Sequence, residues 1–186
     1  APAHWRIGLL ALAGLAFALR VYHLADQSLW YDEGFSVYLA SQDLAQITIR
    51  TAGDIHPPLY YYLLHFWLAL AGQSEFALRY FSLFFGVLTV PLLYQLAQQL
   101  ARSNDSSRWL PGMERISSSP QTTKVVTTDV IGLIAALLAT ISPFYIWYSQ
   151  EGRMYTLLTF LGALSSYLLL MATENPPGGS KTSGRV

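Results

Sequence analysis

Ser28-Leu29-Trp30-Tyr31-Asp32-Glu33-Gly34-Phe35 sets two adjacent carboxylates among aromatic side chains, a few residues beyond an apolar run long enough to cross a bilayer. Acidic groups at the edge of hydrocarbon are costly to hold there, so they tend to be paired, functional or both. A second polar patch, Tyr148-Ser149-Gln150-Glu151-Gly152-Arg153, follows another apolar run much later in the chain. The reading that decides the fold is that these two patches meet on one face of a membrane.

Composition agrees with a membrane setting. The 186 residues are 53% hydrophobic and only 12% charged, about half the charged share of a soluble domain, and mean hydropathy is +0.34. Eleven basic residues balance eleven acidic ones with no basic stripe, which argues against a nucleic-acid partner. Cysteine is absent, so disulfides, thiolate metal sites and a cysteine nucleophile are excluded.

Outward from the opening stretch, the apolar runs predict an all-α polytopic membrane protein with about four spans. The first covers residues 5–24, about the 20 residues needed for roughly 30 Å of hydrocarbon. Its run continues to Leu24 without a small-residue cleavage site, so a retained helix is expected rather than a signal peptide. Arg20 reads as an anchor whose stem reaches the interface or, more sharply, as a charge partner for Asp32 or an anionic substrate. Residues 25–75 form a first outer loop with surface helices, one amphipathic from about Gly34 to Ile49 and one aromatic-rich from Pro58 to Ala71. The second is about 14 residues, short for a span. Pro57 and Pro58 suit its start, Gly72 suits its end, and Tyr60-Tyr61-Tyr62 reads as an interfacial belt. Spans at 76–100, 129–147 and 154–172 complete a membrane domain over 1–172, with a polar loop over 101–128 and a disordered tail over 173–186.

Charge then sets orientation. With 58–71 kept at the surface, Arg6, the basic residues Arg102, Arg108, Arg115 and Lys124, and the tail residues Lys181 and Arg185 share one side. The positive-inside rule makes that side cytoplasmic. The expected location is therefore the plasma (inner) membrane, with both acidic patches facing outward.

Carboxylates beside a membrane and a nearby cation suit group transfer between a lipid-borne donor and an acceptor. Asp32, with Glu33 beside it, is the candidate catalytic acid–base group, since burial against Trp30 and Tyr31 would raise its pKa toward a useful range. Arg153 is the candidate phosphate-binding residue through charge-assisted hydrogen bonds. His56, stiffened by two following prolines, is placed at the same site. Glu151 is the candidate ligand for a divalent cation, or the residue that orients Arg153. Taken singly these residues are weak signals. An Asp–Glu pair after a helix is often a solvated cap, and Glu151 with Arg153 resembles a surface ion pair worth under about 1 kcal/mol. Their convergence on one side is what favours a site.

Four segments also resemble a known family: residues 28–34, then His56-Pro57-Pro58-Leu59-Tyr60-Tyr61, then Glu75-Phe76-Ala77-Leu78-Arg79, then Tyr148-Ser149-Gln150-Glu151-Gly152-Arg153-Met154-Tyr155. In this order they resemble the N-terminal part of the polytopic glycosyltransferases of the protein O-mannosyltransferase and lipid A aminoarabinose transferase type, which have the GT-C fold. The resemblance runs over about residues 5–172. It implies a polyprenyl-phosphate sugar donor and inverting transfer to an acceptor hydroxyl on the outer face. The family's first-loop acidic residue falls on Asp32, its first-loop histidine on His56, and its second-loop acidic and basic residues on Glu151 and Arg153. Metal use varies among such enzymes, which leaves the divalent cation at Glu151 open. Gly152 stands where they often carry Ala. They usually have ten or more spans, so this chain is expected to be part of a longer enzyme or assembly. The alternative is a non-catalytic membrane subunit or scaffold that keeps the fold. A transporter is disfavoured, because the acids lie in loops and no internal repeat is found.

Overall fold

The computed structural model describes residues 3–53, 56–103 and 121–174. The eight helices it describes are α1 (Ala3–Val21), α2 (Tyr31–Ala40), α3 (Leu44–Ala52), α4 (Pro58–Ala71), α5 (Glu75–Ser103), α6 (Gln121–Ile141), α7 (Pro143–Ser149) and α8 (Tyr155–Glu174). No strand occurs among the described residues. The expected tail beyond Glu174 and most of the expected polar loop lie outside the described residues. At the loop's two ends α5 and α6 run several residues further than the apolar runs predicted.

Local chemistry explains the helix ends. His23 takes a left-handed φ of 57° as the chain leaves α1. The single amphipathic helix expected from about Gly34 to Ile49 is instead two. α2 starts earlier, at Tyr31, where Glu33 reaches back to the Trp30 backbone N–H (3.4 Å). It stops at Ser41, and Asp43 then opens α3 by accepting from the Gln46 N–H at 2.7 Å, an N-cap that competes with helix continuation. α4 begins with Pro58 in its first turn and ends at Gly72, whose φ of 82° suits a residue without a Cβ. Ser74 caps α5, accepting from the Ala77 N–H.

α1, α5 and α8 are each long and apolar enough to cross a bilayer, and α6 and α7, bent by 59°, qualify only as a pair, as a broken span or a re-entrant loop. The chain is an all-α polytopic membrane protein with three spans, or four when the bent pair is counted as one. The expected third span over 129–147 is thus interrupted at Ser142-Pro143. α4, at 14 residues, reaches roughly 21 Å along its axis, short of the hydrocarbon thickness.

α5 is the central helix, in contact with α1, α4, α6, α7 and α8. One core cluster joins Ala16, Val90, Tyr94, Ala136 and Ala139 of α1, α5 and α6; its alanines let the backbones approach closely. The other gathers Leu39, Ile47, Tyr60, Tyr61, Leu64 and Leu78, packing α2–α4 onto the start of α5. Tyr60 and Tyr61 are therefore core residues, correcting the interfacial-belt reading; only Tyr62 stays near the surface, bonded to Thr48 (2.7 Å). Outward-facing Leu10, Leu138, Leu158 and Leu169 are exposed, an apolar surface suited to lipid.

Arg20 overturns both readings given to it. It is fully buried and pairs with no carboxylate among the described residues. Its Nη2 donates to the Ala139 carbonyl at 2.9 Å, Nη1 to the Thr140 and Ala16 carbonyls, and Nε to Ser149 Oγ. Pro143, four residues after Ala139, has no N–H to give that oxygen. The guanidinium supplies the donors that the break removes, which is how a helix interruption is tolerated in hydrocarbon.

Candidate functional site

The α1–α2 connection, the first turns of α5 and the α7–α8 connection meet at one end of the bundle. Glu33 is the hub. Its carboxylate, 1% exposed, takes two parallel hydrogen bonds from Arg79, Nε to Oε1 at 2.9 Å and Nη2 to Oε2 at 2.7 Å. Oε1 also accepts from the Gly152 backbone N–H at 2.8 Å. Arg79 spends its remaining donors on the Leu24, Gln27 and Ser28 carbonyls. One buried ion pair thus holds the first loop to α5 and to the loop carrying Glu151 and Arg153.

Gly152 is required by this arrangement. A Cβ there would sit 2.5 Å from Leu78 Cγ, inside contact distance of a fully buried side chain. An alanine at this position does not fit beside Leu78 without displacing it. Ser82 Oγ donates to the Arg153 carbonyl at 3.0 Å and fixes the next residue.

Asp32 and Arg153 are brought together. Arg153 Nη1 lies 3.2 Å from Asp32 Oδ2 and also reaches the Asp32 carbonyl at 3.3 Å. The two differ in exposure: the Asp32 side chain is 38% accessible, that of Arg153 only 7%. Arg153 Nε is buried without a hydrogen-bond partner, and its guanidinium carbon lies 5.8 Å from the centre of the Tyr155 ring.

Glu151 lies half-buried beside the same junction, its Oε1 accepting from the Trp147 indole N–H at 2.7 Å. Burial pushes its carboxyl above the ordinary glutamate value; the Trp147 bond and Arg153 oppose the shift, and Glu33 and Asp32 add to it. Gln150 pins this loop to α1 through the Arg20 and Tyr22 carbonyls. Glu33, Arg79, Glu151, Trp147, Trp30 and Ser28 help line a cavity of about 340 Å³. His56 is half-buried just before the α4 cap at Pro57. Among the described residues no three His, Cys, Asp or Glu side chains group as a divalent site would need.

Arg79 is the member of this cluster that sequence reasoning did not assign. The signal was present: a lone cation in the first turns of a span needs a partner, and Glu33, read there only as the neighbour of the catalytic candidate Asp32, lay at the same membrane edge.

Over residues 55–107 the chain matches the family of dolichyl-phosphate-mannose-protein mannosyltransferases. The matched stretch is under a third of the chain and contains His56, α4 and Arg79, with Asp32, Glu33, Glu151 and Arg153 outside it. In that stretch the protein is similar to a family of membrane glycosyltransferases. No curated protein and no solved structure matches the chain.

Proposed function

We propose that this chain is the N-terminal membrane module of a GT-C glycosyltransferase of the protein O-mannosyltransferase and aminoarabinose transferase type. In this reading it moves a sugar from a polyprenyl-phosphate donor to an acceptor hydroxyl, with inversion, on the extracytoplasmic face of the plasma membrane. The observation that carries the reading is the Asp32–Arg153 pair at 3.2 Å, formed where the two polar loops meet.

The chemistry follows from that pair. Arg153, the cation beside the more exposed Asp32, receives the phosphate oxygens of the donor and stabilises the charge that develops on the leaving group. Asp32, the more exposed partner, accepts the acceptor hydroxyl's proton as its oxygen attacks the sugar. Glu33 works through Arg79 and the Gly152 N–H as a positioning residue. Glu151 orients the Arg153 loop, and His56 is assigned as a second contact to the donor phosphate. An apolar groove of about 340 Å³ lined by Phe144, Tyr145, Tyr148, Tyr155 and Leu158 shares Tyr155 with Arg153 and suits the polyprenyl tail. Residues 25–75 form the outer loop, and the basic segment 101–128 lies in the cytoplasm.

The test is release of polyprenyl phosphate from a lipid-linked sugar by the whole chain in liposomes, with and without Asp32→Asn. Release lost in the variant supports the enzyme. Donor binding with no turnover in either protein supports the alternative, a non-catalytic subunit that keeps the fold.

A further inference from the structure

The opposite end of the bundle holds a second polar cavity. Gln98 follows Arg79 by 19 positions on α5, roughly 28 Å along a helix, so this cavity is remote from the Asp32–Arg153 cluster. It measures about 290 Å³ and is lined by Arg6, Leu9, Tyr94, Gln98, Arg102 and Asp129, with Gln95 beside them.

Asp129 is 2% exposed and only half satisfied. Its Oδ1 accepts from the Tyr94 hydroxyl at 3.1 Å and from the Gln98 amide. Its Oδ2 is buried with no hydrogen-bond partner. A carboxylate oxygen in that position calls for a donor. Arg6 in the first turn of α1 and Arg102 in the last turn of α5 are exposed, and among the described residues neither is paired with a carboxylate.

This charge pattern selects its ligand. A bare metal cation is repelled by the two rim arginines, and a simple anion by Asp129. A zwitterion satisfies both, with its phosphate on the arginines and a primary ammonium donating to Asp129 Oδ2. The arginines stand at the ends of membrane spans, where lipid head groups lie. We infer that this cavity binds the phosphate–ammonium head of a primary-amine zwitterionic phospholipid in the leaflet opposite the Asp32 cluster. A choline head has the same charges but no N–H to give, and a glycerol head has no cation.

The purified full chain is equilibrated with equal amounts of phosphatidylethanolamine, phosphatidylcholine and phosphatidylglycerol of one acyl composition, and retained lipid is counted by native mass spectrometry. Phosphatidylethanolamine is retained in about tenfold excess over either competitor, the worth of one charge-assisted hydrogen bond. Asp129→Asn keeps an oxygen for Tyr94 and Gln98 but turns the other atom into a donor, and it erases that preference. Arg102→Gln, on the exposed rim, lowers retention of all three lipids and serves if the Asn variant does not fold. Equal retention of the ethanolamine and choline lipids, an unchanged preference in Asp129→Asn, or unchanged retention in Arg102→Gln overturns the assignment. Binding of soluble phosphoethanolamine with no lipid retained overturns the lipid as its source.

Discussion

Arg79 and Glu33, 46 residues apart, close two parallel hydrogen bonds in a buried setting and so join α5 to the first turn of α2. Removing one partner of such a pair leaves the other charge uncompensated, at a cost of about 3–5 kcal/mol. Glu33→Gln and Arg79→Gln are each expected to lose that much in SDS-induced unfolding of the detergent-solubilised chain. The double variant, with two neutral amides facing each other, should lose less than the sum. Additive losses would show that the two side chains do not act on each other.

Arg20 is expected to be needed only because the α6–α7 helix is broken. Arg20→Met leaves the Ala139 and Thr140 carbonyls unsatisfied, costing about 2–6 kcal/mol at 1–3 kcal/mol for each buried acceptor. Arg20→Lys should not rescue, since one ammonium cannot replace the planar fork. Pro143→Ala restores an N–H opposite Ala139, so the same Met substitution should cost less in that background. Thermal unfolding of the parent chain and these four variants reads the difference.

The sequence made the spans legible because long apolar runs leave few alternatives, and it brought Asp32 and Arg153 to one membrane edge through charge balance. What it concealed was pairing. Arg20 looked like an interfacial anchor because its sequence neighbours are apolar; its actual partners, Ala139 and Thr140, are backbone oxygens exposed by a proline some 120 positions away. Tyr60 and Tyr61 looked like a belt because tyrosine suits interfaces, yet α2 and α3 cover them. The break between those two helices rested on one Asp43 cap inside a pattern that reads as continuous.

Gly152→Ala tests the packing beneath the candidate site. The added methyl meets Leu78, and overpacking of this kind costs about 1–3 kcal/mol. It should also weaken the Gly152 N–H bond to Glu33. In a Leu78→Ala background the same change should cost less, because the opposing carbons are gone. An equal cost in both backgrounds, read by chemical unfolding, would place the strain elsewhere.

Glu151 gives a pH signature with a definite sign. Its folded pKa lies above its ordinary value because burial penalises the charge, so the folded chain holds that proton more tightly than the unfolded chain. Its contribution to stability is therefore greatest below the ordinary glutamate pKa and declines as pH rises through the raised folded value. Glu151→Gln should remove that decline. Melting temperatures of the two proteins across the acidic range should converge at low pH and separate in favour of the Gln variant as pH rises; a constant gap would contradict the assignment.

The most direct test of the account is the affinity of the nanodisc-embedded chain for polyprenyl phosphate, measured before and after Arg153→Gln. The account predicts binding weakened by roughly tenfold to a hundredfold, the worth of a charged hydrogen-bond donor to the phosphate, with the fold intact by circular dichroism. Equal affinity in the two proteins would contradict it.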